Sequence, residues 1–245
     1  MSGNKTVYDL VCSLGGNCAA AHNLQIRSLR PCAYPFDWTY FTEVKSVYKL
    51  AESFKNNFSD ILLKENLKEL PINPEHSDRV QYQDLKTGIV WANHFKDKIE
   101  NEEEYRKVKQ KIDRRCKRLL EHIQKADKIL FIFSISFEIG IKVFEDFLAE
   151  IKKIYPNKTI DLKVVCFSCK ETQNITKNSI ELINNKRPIN RYDFVRTNFV
   201  WAFLDDIALS GITKNKLRIA VCRFFINLCH FKLLRREMRK IYNVE

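Results

Sequence analysis

The chain has 245 residues, 45 % apolar and 12 % aromatic. That is enough for one sizeable core and argues against general disorder. No run of about 18 apolar residues occurs, which argues against a transmembrane helix. The formal net charge of +12 points toward an anionic partner.

In chain order, Val7–Leu14 reads as a first strand, closed by a Gly15-Gly16 turn. A helix is predicted from Cys18 to Leu29, because Cys18, Ala21, Leu24 and Leu29 roughly share one face. Asn17 is its predicted N-cap, since its side chain can accept from a free helix N–H. Pro31 and Pro35 interrupt the chain, and Phe36-Asp37-Trp38 follows in a loop or new turn. Glu43–Lys55 reads as a helix. Arg79–Asp84 and Gly88–His94 read as a hairpin about Lys86-Thr87-Gly88. Glu100–Lys125 is a long charged helix with Tyr105, Val108, Ile112, Leu119 and Ile123 as its apolar stripe.

Lys128–Ser134 is an apolar run of the kind found in buried strands. Ile139–Ile154 reads as a helix stopped by Pro156, Asp161–Phe167 as another buried strand, and Ile180–Ile183 as a last one. Lys214–Tyr242 reads as one long helix. Alternation of strand and helix predicts an α/β or α+β domain, a central sheet packed by helices. We expect one domain over residues 1–211, with a basic amphipathic helix over 212–245 packed on it. From Ile212 to Glu245 there are nine Lys or Arg and two Glu.

The stretch with chemical content is Ser13-Leu14-Gly15-Gly16-Asn17-Cys18. A cysteine entering at a helix N-terminus sits at the positive end of the helix dipole, which favours thiolate over thiol. Unused backbone N–H groups there, around Gly16 and Asn17, can stabilise an oxyanion. The same turn also suits a cysteine that merely packs. A thiolate needs a base, and the candidates are His22, His76, His94, His122 and His230. His22 lies on the same helix as Cys18, whereas catalytic pairs usually meet across two elements. His122 and His230 sit in charged helices, and His76 in a polar loop. His94 ends a predicted strand, a rigid place for a base. Asp37 is flanked by bulky residues, and a half-buried Asp takes a partner. That partner is His94, Arg30 or a helix N-terminus, with Asp97 and Asn93 as other acids or amides near His94.

Together, Ser13–Cys18, Leu29-Arg30 and Ala33-Tyr34-Pro35-Phe36-Asp37-Trp38 resemble the signature of a bacterial family of unknown function described as papain-like cysteine peptidases. The similarity extends through His94-Phe95 and the Arg114-Arg115 to Ser134 block, over about the first 170 residues. The resemblance implies a papain-like fold, with the nucleophile Cys18 at the start of the first helix and His94 as base. Asp37 matches a motif position and is our choice for the third member of the group. Gly16, Asn17, Arg30, Trp38 and Arg115 are the expected oxyanion and substrate-binding residues. Papain-type proteases place a Gln before the nucleophile, where this chain has Cys12 and Ser13.

Three functions follow. The first is a thiol hydrolase on an acyl or amide bond. The second is an acyltransferase acting on a surface polysaccharide or its precursor, using the same acyl-thiol chemistry. The third is a non-enzymatic module on an anionic membrane surface, bound through the basic C-terminal helix. The substrate is expected to be a small molecule, a peptide or a glycan; nucleic acid is not expected, for lack of a binding motif. No metal and no cofactor are expected, because the single Cys166-Phe167-Ser168-Cys169 lacks the further ligands that zinc needs. The start of the chain does not read as a secretion signal. We therefore expect a cytoplasmic protein, peripheral at the inner face of the membrane if the helix binds there, with its eight cysteines reduced. The run Arg114–Arg118 reads either as a solvated face paired with neighbouring glutamates or as a clamp for phosphate or carboxylate.

Overall fold

A computed structural model of the chain describes residues 5–71, 79–167, 173–184 and 201–210. The first predicted strand divides at Asp9 into β1 (Thr6–Tyr8) and β2 (Leu10–Ser13). The Asp9 carboxylate accepts the N–H groups of Asp127 and Lys128, at 3.0 and 2.8 Å. These bonds anchor the point where the chain changes sheets. Helix α1 (Ala19–Ile26) follows the glycine turn. It ends three residues before Leu29 because Ser28 turns left-handed (φ 61°) and the Leu29 N–H bonds the Leu24 carbonyl at 2.9 Å.

Next come β3 (Tyr40–Phe41), α2 (Lys45–Lys55), β4 (Leu67–Glu69), and the predicted hairpin as β5 (Val80–Asp84) and β6 (Ile89–Phe95). Helix α3 spans Glu102–Lys125 and is capped by Asn101, whose side chain accepts from the Glu103 and Glu104 N–H groups. Strand β7 (Lys128–Ile135), α4 (Ile141–Ile154) and β8 (Thr159–Cys166) form a parallel crossover unit. Strands β9 (Ile175–Lys177), β10 (Ile180–Asn184) and β11 (Ile207–Leu209) complete the described elements.

Three sheets result. The main one has the order β2-β7-β8-β10-β9, parallel except for β9. A four-stranded antiparallel sheet runs β3-β6-β5-β4. β1 pairs with β11 in parallel. The architecture is therefore mixed α/β, as composition and alternation predict.

Strand β7 shows why its sequence is continuously apolar: it is buried on both faces. Ile129, Phe131, Phe133 and Ile135 join one core cluster with Leu50 and Phe54 of α2, Ile112 and Leu119 of α3, and Phe144 and Phe147 of α4. Leu130 and Ile132 point the other way, into a second cluster with Ala19, Ala20 and Leu24 of α1 and with Trp201 and Leu204. Cys12 and Cys116 are buried free thiols, but Cys166 is disulfide-bonded, against the expectation of reduced cysteines. Its partner lies outside the described residues, as do His76, His230 and the predicted helix over 214–242. Among the described residues no helix is long and apolar enough to cross a membrane, and no His/Cys/Asp/Glu group is arranged to hold a metal.

Candidate active site

The turn Gly15-Gly16-Asn17-Cys18 leaves the C-terminal end of β2, the edge where open parallel sheets bind ligands. Both glycines have positive φ, 87° and 88°. The Gly15 carbonyl accepts the Ser134 N–H at 3.1 Å, and the Gly16 carbonyl accepts the Phe41 N–H at 3.2 Å. A Cβ on Gly16 would lie 2.5 Å from the Ser134 carbonyl oxygen. We therefore expect Gly16→Ala to destabilise the fold by about 1–3 kcal/mol through backbone strain and this clash, read as a lowered urea midpoint.

Asn17 is buried and fully committed. Its Oδ1 accepts the Ala19 N–H at 2.9 Å, and its Nδ2 donates to Ser136 Oγ at 3.1 Å. It thus bonds the first N–H of α1, one residue before the cap position and not from it as predicted, and ties that helix end to the end of β7. With its side-chain amide bonded to Ser136, oxyanion donors must come from the backbone. The N–H groups of Gly16 and Asn17 enter no hydrogen bond among the described residues.

Cys18 stands at the cap position of α1 with helical backbone angles (φ −75°, ψ −10°). Its thiol is partly exposed and not in a disulfide. The Tyr40 hydroxyl donates to Sγ at 3.8 Å, a contact that nothing in the local sequence signals. His22 lies one turn on in α1, its N–H bonded to the Cys18 carbonyl.

His94 is buried in β6, and its Nε2 has no hydrogen-bond partner. A hydrogen bond to the Trp38 backbone favours the charged ring, so the carbonyl of Trp38 accepts from it. Burial first, then the positive charges of Lys111, Arg115 and Arg79, push its pKa down to about 3. The ring is therefore neutral at pH 7. Residues 36–41 connect the two chemical groups: Trp38 holds His94 by its backbone, and Tyr40, two residues on, reaches Cys18 by its hydroxyl.

Asp37 is fully buried, and its Oδ2 collects three bonds: Arg30 Nη2 at 2.6 Å, Arg30 Nε at 2.8 Å and the Tyr34 N–H at 2.8 Å. Of the partners open to it from sequence, Arg30 is the one it takes. Burial raises its pKa, and Arg30 pulls it back. Arg30 also lies over the Trp38 ring, 5.6 Å from its centroid. Arg115 is near enough to feel Asp37, yet its Nη1, like Asp37 Oδ1, is buried without a partner. Arg30, Asp37, Trp38 and Arg115 therefore form one cluster, and Arg115 links it to His94. His122, a base candidate, instead pairs its Nδ1 with the Tyr34 hydroxyl at 2.7 Å. Asp97 is exposed and bonded to Asn101, away from these groups.

Residues 9–172 match the model of the family described as "Putative papain-like cysteine peptidase". The chain belongs to this family. The matched stretch begins at the β1–β2 junction and takes in the glycine turn, Cys18, the Arg30–Asp37 pair and His94. It ends beyond β8, so the family covers the main parallel sheet up to that strand and all of the four-stranded sheet. No curated protein and no solved structure matches the chain.

Proposed function

We propose that the chain is a thiol hydrolase of the cysteine-peptidase type, with Cys18 as nucleophile and His94 as its base. The observation that carries this reading is the anchoring of both groups to one segment. A partly open thiol sits at a helix N-terminus, beside two unused backbone N–H groups. A buried neutral imidazole with an unsatisfied Nε2 is bonded to the backbone of Trp38, two residues before the Tyr40 that reaches the thiol.

In this mechanism Cys18 Sγ attacks the carbonyl carbon of an acyl or amide bond, and its proton passes to His94 Nε2. The Gly16 and Asn17 N–H groups receive the oxyanion. His94 returns the proton to the leaving group, and an acyl thioester remains on Cys18. Water then attacks the thioester with His94 as base, releasing the acid and restoring the thiol. Trp38 takes the orienting part through its carbonyl, while Asp37 fixes Arg30. The thioester is the same whether water or a glycan hydroxyl resolves it, so the acyltransferase reading differs only in the acceptor. It would show as turnover raised by added sugar.

The test is the rate of iodoacetamide labelling across pH in the wild type, Cys18→Ser and His94→Ala. A Cys18-dependent rate that titrates below the ordinary thiol value of about 8.5, through the helix N-terminus, and that falls in His94→Ala, where the base is missing, is the expected result. A Cys18 that titrates as an ordinary thiol, indifferent to His94, would overturn the pair.

A further inference from the structure

Between β6 and the first half of α3 lies a pocket of about 320 Å³. Lys107, Lys111 and Arg114 reach it from α3 at spacings of four and three residues, which places them on one helix face. Arg79 and Lys96 flank the open end of the β5–β6 hairpin, and His94 lines the wall. Five cations thus converge with a single carboxylate, Glu104. That carboxylate is already engaged, accepting the Lys96 backbone N–H at 2.7 Å. Lys96, Lys107, Lys111 and Arg114 form no ion pair among the described residues. Of the neighbouring glutamates, Glu102 bonds Lys64.

The cations are not simply a solvated face. Lys111 is half-buried, and its pKa is lowered, by burial first and then by Arg115, with Arg79 and Lys107 adding to the repulsion and Glu104 opposing it. His94 is held neutral by burial first and then by the same charges. An anion in the pocket would relieve the repulsion.

We propose that this pocket binds the phosphoryl group of a small phosphate-bearing molecule. A phosphoryl dianion offers nearly two negative charges and three acceptor oxygens to donors from several directions, where a carboxylate offers one charge in one plane. The volume is at the lower end of ordinary ligand pockets, about 300–1,000 Å³, so it has room for a short body beyond the phosphate. Lys107, Lys96 and Arg114 are exposed at the rim and Lys111 lies deeper, so the charged end enters first. The inference concerns binding and does not need Cys18 to be a nucleophile, although His94 belongs to both sites.

The test is calorimetric titration of the full chain at low ionic strength with inorganic phosphate, glycerol 3-phosphate and acetate. Wild type and Cys18→Ser are expected to bind phosphate or its ester with one-to-one stoichiometry, and acetate at least about tenfold more weakly. A tighter ester than free phosphate would identify an organic phosphate as the ligand; equal affinity would identify phosphate itself. Lys111→Gln should weaken binding about tenfold or more while holding or raising the melting temperature without ligand, because it removes a crowded charge. Lys117→Gln, which makes the same charge change elsewhere on α3, should leave binding unchanged. No saturable binding, acetate as tight as phosphate, or equal losses in Lys111→Gln and Lys117→Gln would overturn the proposal. Because Cys18→Ser is titrated alongside, failure of the thiol chemistry and failure of phosphate binding remain distinguishable.

Discussion

Replacing His94 by Gln should remove a large part of the acid sensitivity of the fold. The unfolded chain takes up a proton at His94 near its ordinary value of about 6.5. The folded chain resists until about 3, because the ring is buried among Lys111, Arg115 and Arg79. Between these limits the unfolded state holds more protons, so stability falls as pH drops through the window and is fully present above it. Crossing the whole window is worth on the order of 5 kcal/mol, comparable with the total stability of many domains. Urea unfolding at pH 7.5, 6, 5 and 4 reads this directly. The wild type should lose several kcal/mol more than His94→Gln over that range. Asp37 and Asp84, whose burial raises their pKa values, push stability the opposite way, but they act in both proteins and cancel in the difference. Parallel curves for the two proteins would mean that His94 is not held neutral by its surroundings.

The second large effect is expected at Arg30. Its guanidinium is the only charged group bonded to Asp37 among the described residues, and the Asp37 side chain has no solvent exposure. Arg30→Met leaves a buried carboxylate with the Tyr34 N–H alone, and should cost about 3–5 kcal/mol at pH 7.5. The loss should shrink at lower pH. Without Arg30 the folded-state pKa of Asp37 lies further above its unfolded value, so the folded state gains a proton first. The double variant Arg30→Met/Asp37→Asn removes the stranded charge while keeping an acceptor for Tyr34, and should recover most of the loss. A cost below about 1 kcal/mol for Arg30→Met would show that the pair does not organise this loop. Since Trp38 follows Asp37 and binds His94 by its carbonyl, Arg30→Met should also slow Cys18 labelling if the proposed pair is real.

Much of the fold is legible in the chain because its signals are local. Periodicity gives α3 and α4, the apolar runs give β7 and β8, and Lys86-Thr87-Gly88 gives the β5–β6 turn. The errors fall where a distant partner decides. The first strand breaks at Asp9 because Lys128, more than a hundred residues away, bonds it. α1 stops early because Ser28 adopts a left-handed turn that helical periodicity does not encode.

The candidate site divides in the same way. Gly15, Gly16, Asn17 and Cys18 read correctly as a turn and a helix start, since two glycines and a helix-bonding amide act within a few bonds of one another. Asp37 could be read as buried, but not as the partner of Arg30 over the other choices. Tyr40 at the thiol and Trp38 at His94 carried no signal, because a hydroxyl or a backbone carbonyl becomes specific only through its placement. The basic run of α3 reads in sequence either as a surface balanced by its own glutamates or as an anion clamp, and sequence does not choose between them. Packing against β6 turned one face of it toward His94 and left that face with a single carboxylate, Glu104, against its cations. Residue type and spacing thus determined the α/β class, the elements and the thiol at a helix start. Tertiary structure alone decided which charges are paired and which buried atoms are left waiting, because desolvation and Coulomb energies depend on distances across the fold, not along the chain.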